Sequence, residues 1–157
     1  VETLEGVTLD VTGMNEAAAT AEQVPIGTAT VKIPTLSSMI GLKLVAWAYR
    51  NHTTQKDARD LGPLITATYH GPSGEDLWTN HDAGMKWAYD DMLMGPYIAG
   101  RELASTWGQA SLDRLNEILQ PTGIAELSTQ IARSPTTPSS VVAEQLKALR
   151  QGISQYT

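Results

Sequence analysis

Lys43, Asp57 and Asp60 combine the residue types and the spacing that chemistry needs. On a helix, Lys43 has Met39, Ile40, Ala46 and Trp47 as its three- and four-residue neighbours, so its stem lies among apolar side chains. A lysine in that position must carry its ammonium out to water or meet an anion, because an unpaired charge is seldom buried. That anion is either a carboxylate of the same protein or a phosphate of a ligand, and the pattern leaves both open. Further on, Lys56-Asp57-Ala58-Arg59-Asp60-Leu61 puts Asp57, Asp60, Leu61 and Leu64 on one helical face. Two carboxylates one turn apart can hold a divalent ion or orient a water. They also suit a structural role: Thr54 to Asp57 has capping-box spacing, and Lys56 to Asp60 is an i,i+4 ion pair. His52, His70 and His81 are too scattered to form a metal site by spacing, and no serine sits in a nucleophile elbow. Trp47, Trp78, Trp87 and Trp107, in a chain without phenylalanine, read as core aromatics.

The elements that must hold these residues follow from periodicity. From Leu36 onward apolar residues recur with a helical period. The sequence predicts one helix capped by Ser37 or Ser38 and running to about Tyr49, and another capped by Thr53 or Thr54 and running to about Tyr69. Further helices are expected over 76–90, 97–107, 111–119 and 124–132, with Gly95-Pro96 as a break before the second of these. Upstream, short strands at 6–11 and 29–33 flank a helix over 16–22 capped by Asn15, and Pro25-Ile26-Gly27 supplies the turn. The expected class is α+β: a small N-terminal mixed sheet of about two strands, then a mainly helical body. The body closes at residue 133, a proline-marked linker follows at 134–140, and an amphipathic helix occupies 141–157.

With 157 residues, 41% of them hydrophobic, one domain can bury a sufficient core without a disulfide or structural metal. The absence of cysteine excludes a disulfide scaffold, a thiolate zinc site and a cysteine nucleophile, and makes the cytoplasm the default compartment. No run approaches the roughly 18 apolar residues of a membrane span, and residues 1–10 lack the pattern of a signal peptide, so no membrane partner is expected. A net charge of −6 argues against non-specific coating of nucleic acid, while a local basic patch can still hold one phosphate-rich ligand.

The string Ile33-Pro34-Thr35-Leu36, then Gly41-Leu42-Lys43-Leu44-Val45-Ala46-Trp47, Arg50 and Lys56-Asp57-Ala58-Arg59-Asp60-Leu61, resembles the second half of the minimal nucleotidyltransferases related to the AbiEii and MenT toxins of bacterial toxin–antitoxin pairs. Flanks at 9–17, Tyr89-Asp90-Asp91 and Ala99-Gly100-Arg101-Glu102-Leu103-Ala104 extend the likeness over about residues 5 to 120. The resemblance implies a small sheet carrying metal-binding carboxylates, backed by helices. The implied reaction moves a nucleotide from a nucleoside triphosphate to an acceptor such as tRNA, with Mg2+ ions at the α-phosphate. Lys43 would then meet the nucleotide phosphates, Asp57 or Asp60 would be the acid of the last motif, and Arg50 and Lys56 would draw in phosphate. An antitoxin partner is implied as well. The family's first motif, a Gly-Ser turn followed by paired carboxylates, has no counterpart here, so this chain alone is expected to be incomplete as an enzyme. The rival expectation is a non-catalytic binding module that forms homo-oligomers through an exposed sheet edge.

Overall fold

The structure, a computed structural model, describes residues 10–70, 74, 76–132 and 137–155. Among them the chain forms helix α1 (Met14–Ala19), a hairpin of β1 (Glu22–Ile26) and β2 (Ala29–Ile33), and helices α2 (Leu36–Arg50) and α3 (Lys56–Ala67). A 3-10 turn at Leu77–Thr79 precedes α4 (His81–Trp87), α5 (Asp91–Thr106), α6 (Gln109–Ile118), α7 (Pro121–Ile131) and α8 (Ser139–Ile153). This is an α+β chain with a short N-terminal sheet and a helical body.

The N-terminal elements differ from expectation. The strand expected over 6–11 lies outside the described residues as far as residue 9, and Asp10 and Val11 are not extended into a ladder. Helix α1 starts behind Gly13 rather than at Asn15. Gly13 has φ 81 and lies against the Trp107 ring, where any Cβ would collide, so only glycine gives both the turn and the approach. Residues 22–26, expected as a helix end and a turn, form β1. Glu22, Val24 and Ile26 stand opposite Ile33, Val31 and Ala29 in an antiparallel register, and Gly27-Thr28 is the two-residue turn. Pro25 marks not the turn but an outward-facing strand position opposite Thr30, where its missing N–H costs the ladder nothing.

Helix α2 is capped by Thr35, whose Oγ1 accepts from Ser38 N at 3.3 Å, while the expected caps Ser37 and Ser38 are buried in its first turn. Its inward stripe is Ile40, Leu44, Val45 and Trp47. Helix α3 turns Asp57, Ala58, Leu61 and Ile65 inward and keeps Pro63 on its exposed side, so the carbonyl that this proline leaves unbonded can meet water. The helix expected over 76–90 is split. Asn80 caps α4, accepting from Ala83 N at 3.2 Å, and left-handed Ala88 and Tyr89 (φ 51 and 58) end it. Gly95-Pro96 lies inside α5, which begins at Asp91 behind its cap Asp90. Gly95 rests against Thr68 at a distance that excludes a side chain.

Helices α5 and α8 cross with their backbones touching: Gly100 faces the Leu149 carbonyl, and Gly152 faces the Tyr97 carbonyl. Helix α8 begins inside the expected linker and sends Val142, Leu146, Leu149 and Ile153 into the core formed with Leu44, Leu61, Leu103 and Leu127. Trp47 and Trp107 are buried there, whereas Trp78 is exposed. Among the described residues no helix is long and apolar enough to cross a membrane.

Candidate functional site

The chemistry-bearing residues meet where α2 packs on α3. The inward stripes of the two helices fix their register, and that register sets the outer residues Lys43 and Arg50 of α2 over Asp57 and Asp60 of α3. Asp57 is the hub. Its side chain is 1% exposed; Oδ2 accepts from Arg50 Nε at 2.5 Å, and Oδ1 accepts from Arg50 Nη2 at 2.8 Å and from Lys43 Nζ at 3.2 Å. Lys43 Nζ also donates to Asp60 Oδ2 at 2.6 Å. The fork of Arg50 on Asp57 is the bidentate geometry that makes guanidinium–carboxylate pairs strong. Two cations balance two anions, so the quartet is neutral.

Of the residues singled out from sequence, the structure brings Lys43, Arg50, Asp57 and Asp60 together and leaves Lys56 aside. Lys56 is exposed, and among the described residues its ammonium has no ion pair. The expected Lys56–Asp60 pair gives way to Lys43, which comes from the neighbouring helix with a partly desolvated stem and so gains more from the carboxylate. The capping box does not form either. Thr54 Oγ1 accepts from Lys56 N at 3.2 Å, but both oxygens of Asp57 are taken by cations.

The pairing shifts proton affinities. Arg50 beside Asp57 holds that carboxyl below its ordinary value, with Lys43 acting in the same direction and burial opposing. Asp60 is the main cause of the upward shift at Lys43, and Asp57 that at Arg50. Since the folded Asp57 carboxyl is the stronger acid, its contribution is complete above the unfolded value of about 4 and disappears as pH falls through the folded value. Melting temperature is therefore expected to fall steeply on acidification below about pH 4. Arg50→Leu moves this acid limb upward, because Asp57 then keeps only Lys43. At neutral pH the same change costs about 1–2 kcal/mol, well under the cost of stripping a fully buried pair, because the Arg50 side chain is 46% exposed and already screened. Thermal melts from about pH 2 to about pH 7, spanning the carboxylate range and neutrality, check both.

Lys43 and Asp60 keep hydrogen-bonding valences open. Lys43 has three N–H donors and uses two, and Asp60 Oδ1 accepts nothing among the described residues. Both side chains reach solvent, Lys43 at 31% and Asp60 at 39% exposure. Beside them Met39, Leu42, Pro63 and Leu64 join Lys43 and Asp60 in lining an open groove of about 360 Å3. Met39 was legible as a helical neighbour of Lys43 and Leu64 as sharing a face with Asp57 and Asp60, whereas nothing in the local pattern marks Leu42 and Pro63 as walls of a groove.

The described residues contain no group of three or more His, Asp or Glu side chains able to hold a metal ion. One open oxygen on Asp60 falls short of the clustered carboxylates that two ions require, so a two-ion centre does not fit these residues. A second cleft, about 570 Å3, lies between the 3-10 turn, α4 and α5 and is lined by Asp76, Thr79, Asn80, His81, Asp82 and Arg101, among others. Comparison of the chain with family models, with curated proteins and with solved structures returns no match.

Proposed function

We propose that this chain is a nucleotidyltransferase-like protein of the toxin type, in which the α2–α3 quartet binds the phosphates of a nucleoside triphosphate. The observation that supports this is the convergence of Lys43, Arg50, Asp57 and Asp60 at 2.5–3.2 Å, with one donor of Lys43 left over at an open groove. In this reading Asp57 is a positioning residue. With Arg50 it holds Lys43 at the groove, and Lys43 donates to a phosphate oxygen. Transfer of the nucleotide to an acceptor such as tRNA would need Mg2+ and clustered carboxylates that the described residues do not supply. Cytoplasmic location and an antitoxin partner belong to the same proposal, with the lack of cysteine favouring the first.

The test is a titration of the chain with ATP, GTP, CTP and UTP, with and without magnesium, followed by melting temperature. A ligand at a hundred times its Kd stabilises by about 2.7 kcal/mol, a rise of about 5–10 °C for a chain of this size. The rise should vanish in Lys43→Ala, while the melting temperature of that variant without ligand drops only slightly, Asp57 keeping its fork with Arg50. No rise with any nucleotide overturns the reading.

A second reading, a non-catalytic module that assembles through its sheet, is favoured by the hairpin. One face collects Val24, Ile26, Ala29, Val31 and Ile33, and of these all but Val24 are exposed. Pro25 blocks strand addition along β1, whereas Thr30 and Lys32 of β2 present unpaired backbone groups. Sedimentation should then show an oligomer that Val31→Glu dissociates, and a monomer at all concentrations removes this reading.

A further inference from the structure

We infer that the groove beside Lys43 takes the base of the nucleotide by its flat face, so that the site accepts all four bases with little discrimination. This rests on the nucleotide-binding reading above. The groove, about 360 Å3, falls within the roughly 300–1,000 Å3 of small-molecule sites. Its walls are the thioether of Met39, the branched ends of Leu42 and Leu64, and the ring of Pro63. Such polarizable, adaptable surfaces suit the face of a heterocycle.

Among the described residues Lys43 and Asp60 are the polar side chains that line the groove, and they are bonded to each other at 2.6 Å. The quartet as a whole is neutral, so what Lys43 offers a phosphate held beside a base on the apolar walls is its one unused N–H, a charge-assisted donor. Among the described residues no other polar side chain lines the groove to read the hydrogen-bonding edge of a base, and an open groove leaves that edge in water. Sites built to hydrogen-bond a substrate group reject analogues lacking it by about 10⁴-fold or more, whereas apolar walls separate similar shapes by far less. Selectivity among bases should accordingly be small, while the base itself adds affinity.

Isothermal titration of the chain with the four nucleoside triphosphates and with inorganic tripolyphosphate, all with magnesium, tests this. Expected are four nucleotide Kd values within about threefold of one another and each about tenfold or more below that of tripolyphosphate, as added apolar contact in a preformed groove gives. Leu64→Trp, which fills the groove, and Met39→Gln, which makes its wall polar, should each bring the ratio of nucleotide to tripolyphosphate affinity toward one. Equal binding of tripolyphosphate and nucleotides by the unaltered chain overturns the base groove and leaves the phosphate site standing. A preference of about a hundredfold or more for one base overturns recognition by the face. If neither nucleotides nor tripolyphosphate bind, the phosphate reading and this inference fall together.

Discussion

Replacing Trp107 with alanine is expected to lower the unfolding free energy by about 3–5 kcal/mol and the melting temperature by about 10 °C or more. The indole is buried at the end of α5 and fills the space between two glycines, Gly13 ahead of α1 and Gly41 in α2, either of which would collide with it if it carried a Cβ. Its Nε1 donates to Ser38 Oγ at 3.4 Å. Truncation therefore opens a cavity whose walls are glycine backbone, which has no side chain to swing into the gap, and it leaves the buried Ser38 without its indole donor. Gly41 and Ser38 lie within about a turn and a half of Lys43 on the same helix. The loss should accordingly loosen the start of α2 and weaken ligand binding at Lys43 without touching the quartet. Urea melts of Trp107→Ala and Trp107→Phe check the size of the effect, with phenylalanine recovering part of it by filling part of the volume.

Gly152→Ala should cost about 3 kcal/mol, at the upper end for adding one methyl group to a core. The new Cβ would overlap the Tyr97 carbonyl and crowd the Arg101 backbone nitrogen, both parts of α5 rather than flexible side-chain ends. The helices must separate, and Leu103, Leu146, Leu149 and Ile153 lose contacts along the whole crossing. Gly100→Ala acts on the same crossing from the other side, through the Leu149 carbonyl. Once one methyl group has pushed the helices apart, the second finds room, so the double variant should be less destabilised than the sum of the single ones. Additive losses in a double-mutant cycle would show that each glycine is accommodated locally, with no separation of the helices.

Much of the body was legible because helical periodicity and capping are local. The stripes of α2 and α3 follow from apolar spacing, and so does the placing of Asp57 and Asp60 on one face. The errors cluster where local signals compete. Pro25 has the same local signature in a turn and at an outward strand position, and only pairing with β2 distinguishes them. Gly95-Pro96 signals a break locally, yet α5 runs through it, with Gly95 packed against Thr68 of the preceding segment. Asp60 had two cations within reach in the sequence, and nothing local ranks Lys43 of another helix above Lys56 of its own.

The α+β class, the helices α2 and α3 and the unusual position of Lys43 among apolar neighbours were readable along the chain, because each depends on spacing within one or two turns. The tertiary structure decided which anion Lys43 meets, that Arg50 forks onto Asp57, that α5 and α8 touch at Gly100 and Gly152, and that a groove opens beside Lys43. Those outcomes depend on the register between elements, which is set by how whole surfaces fit and which no single stretch of the chain carries.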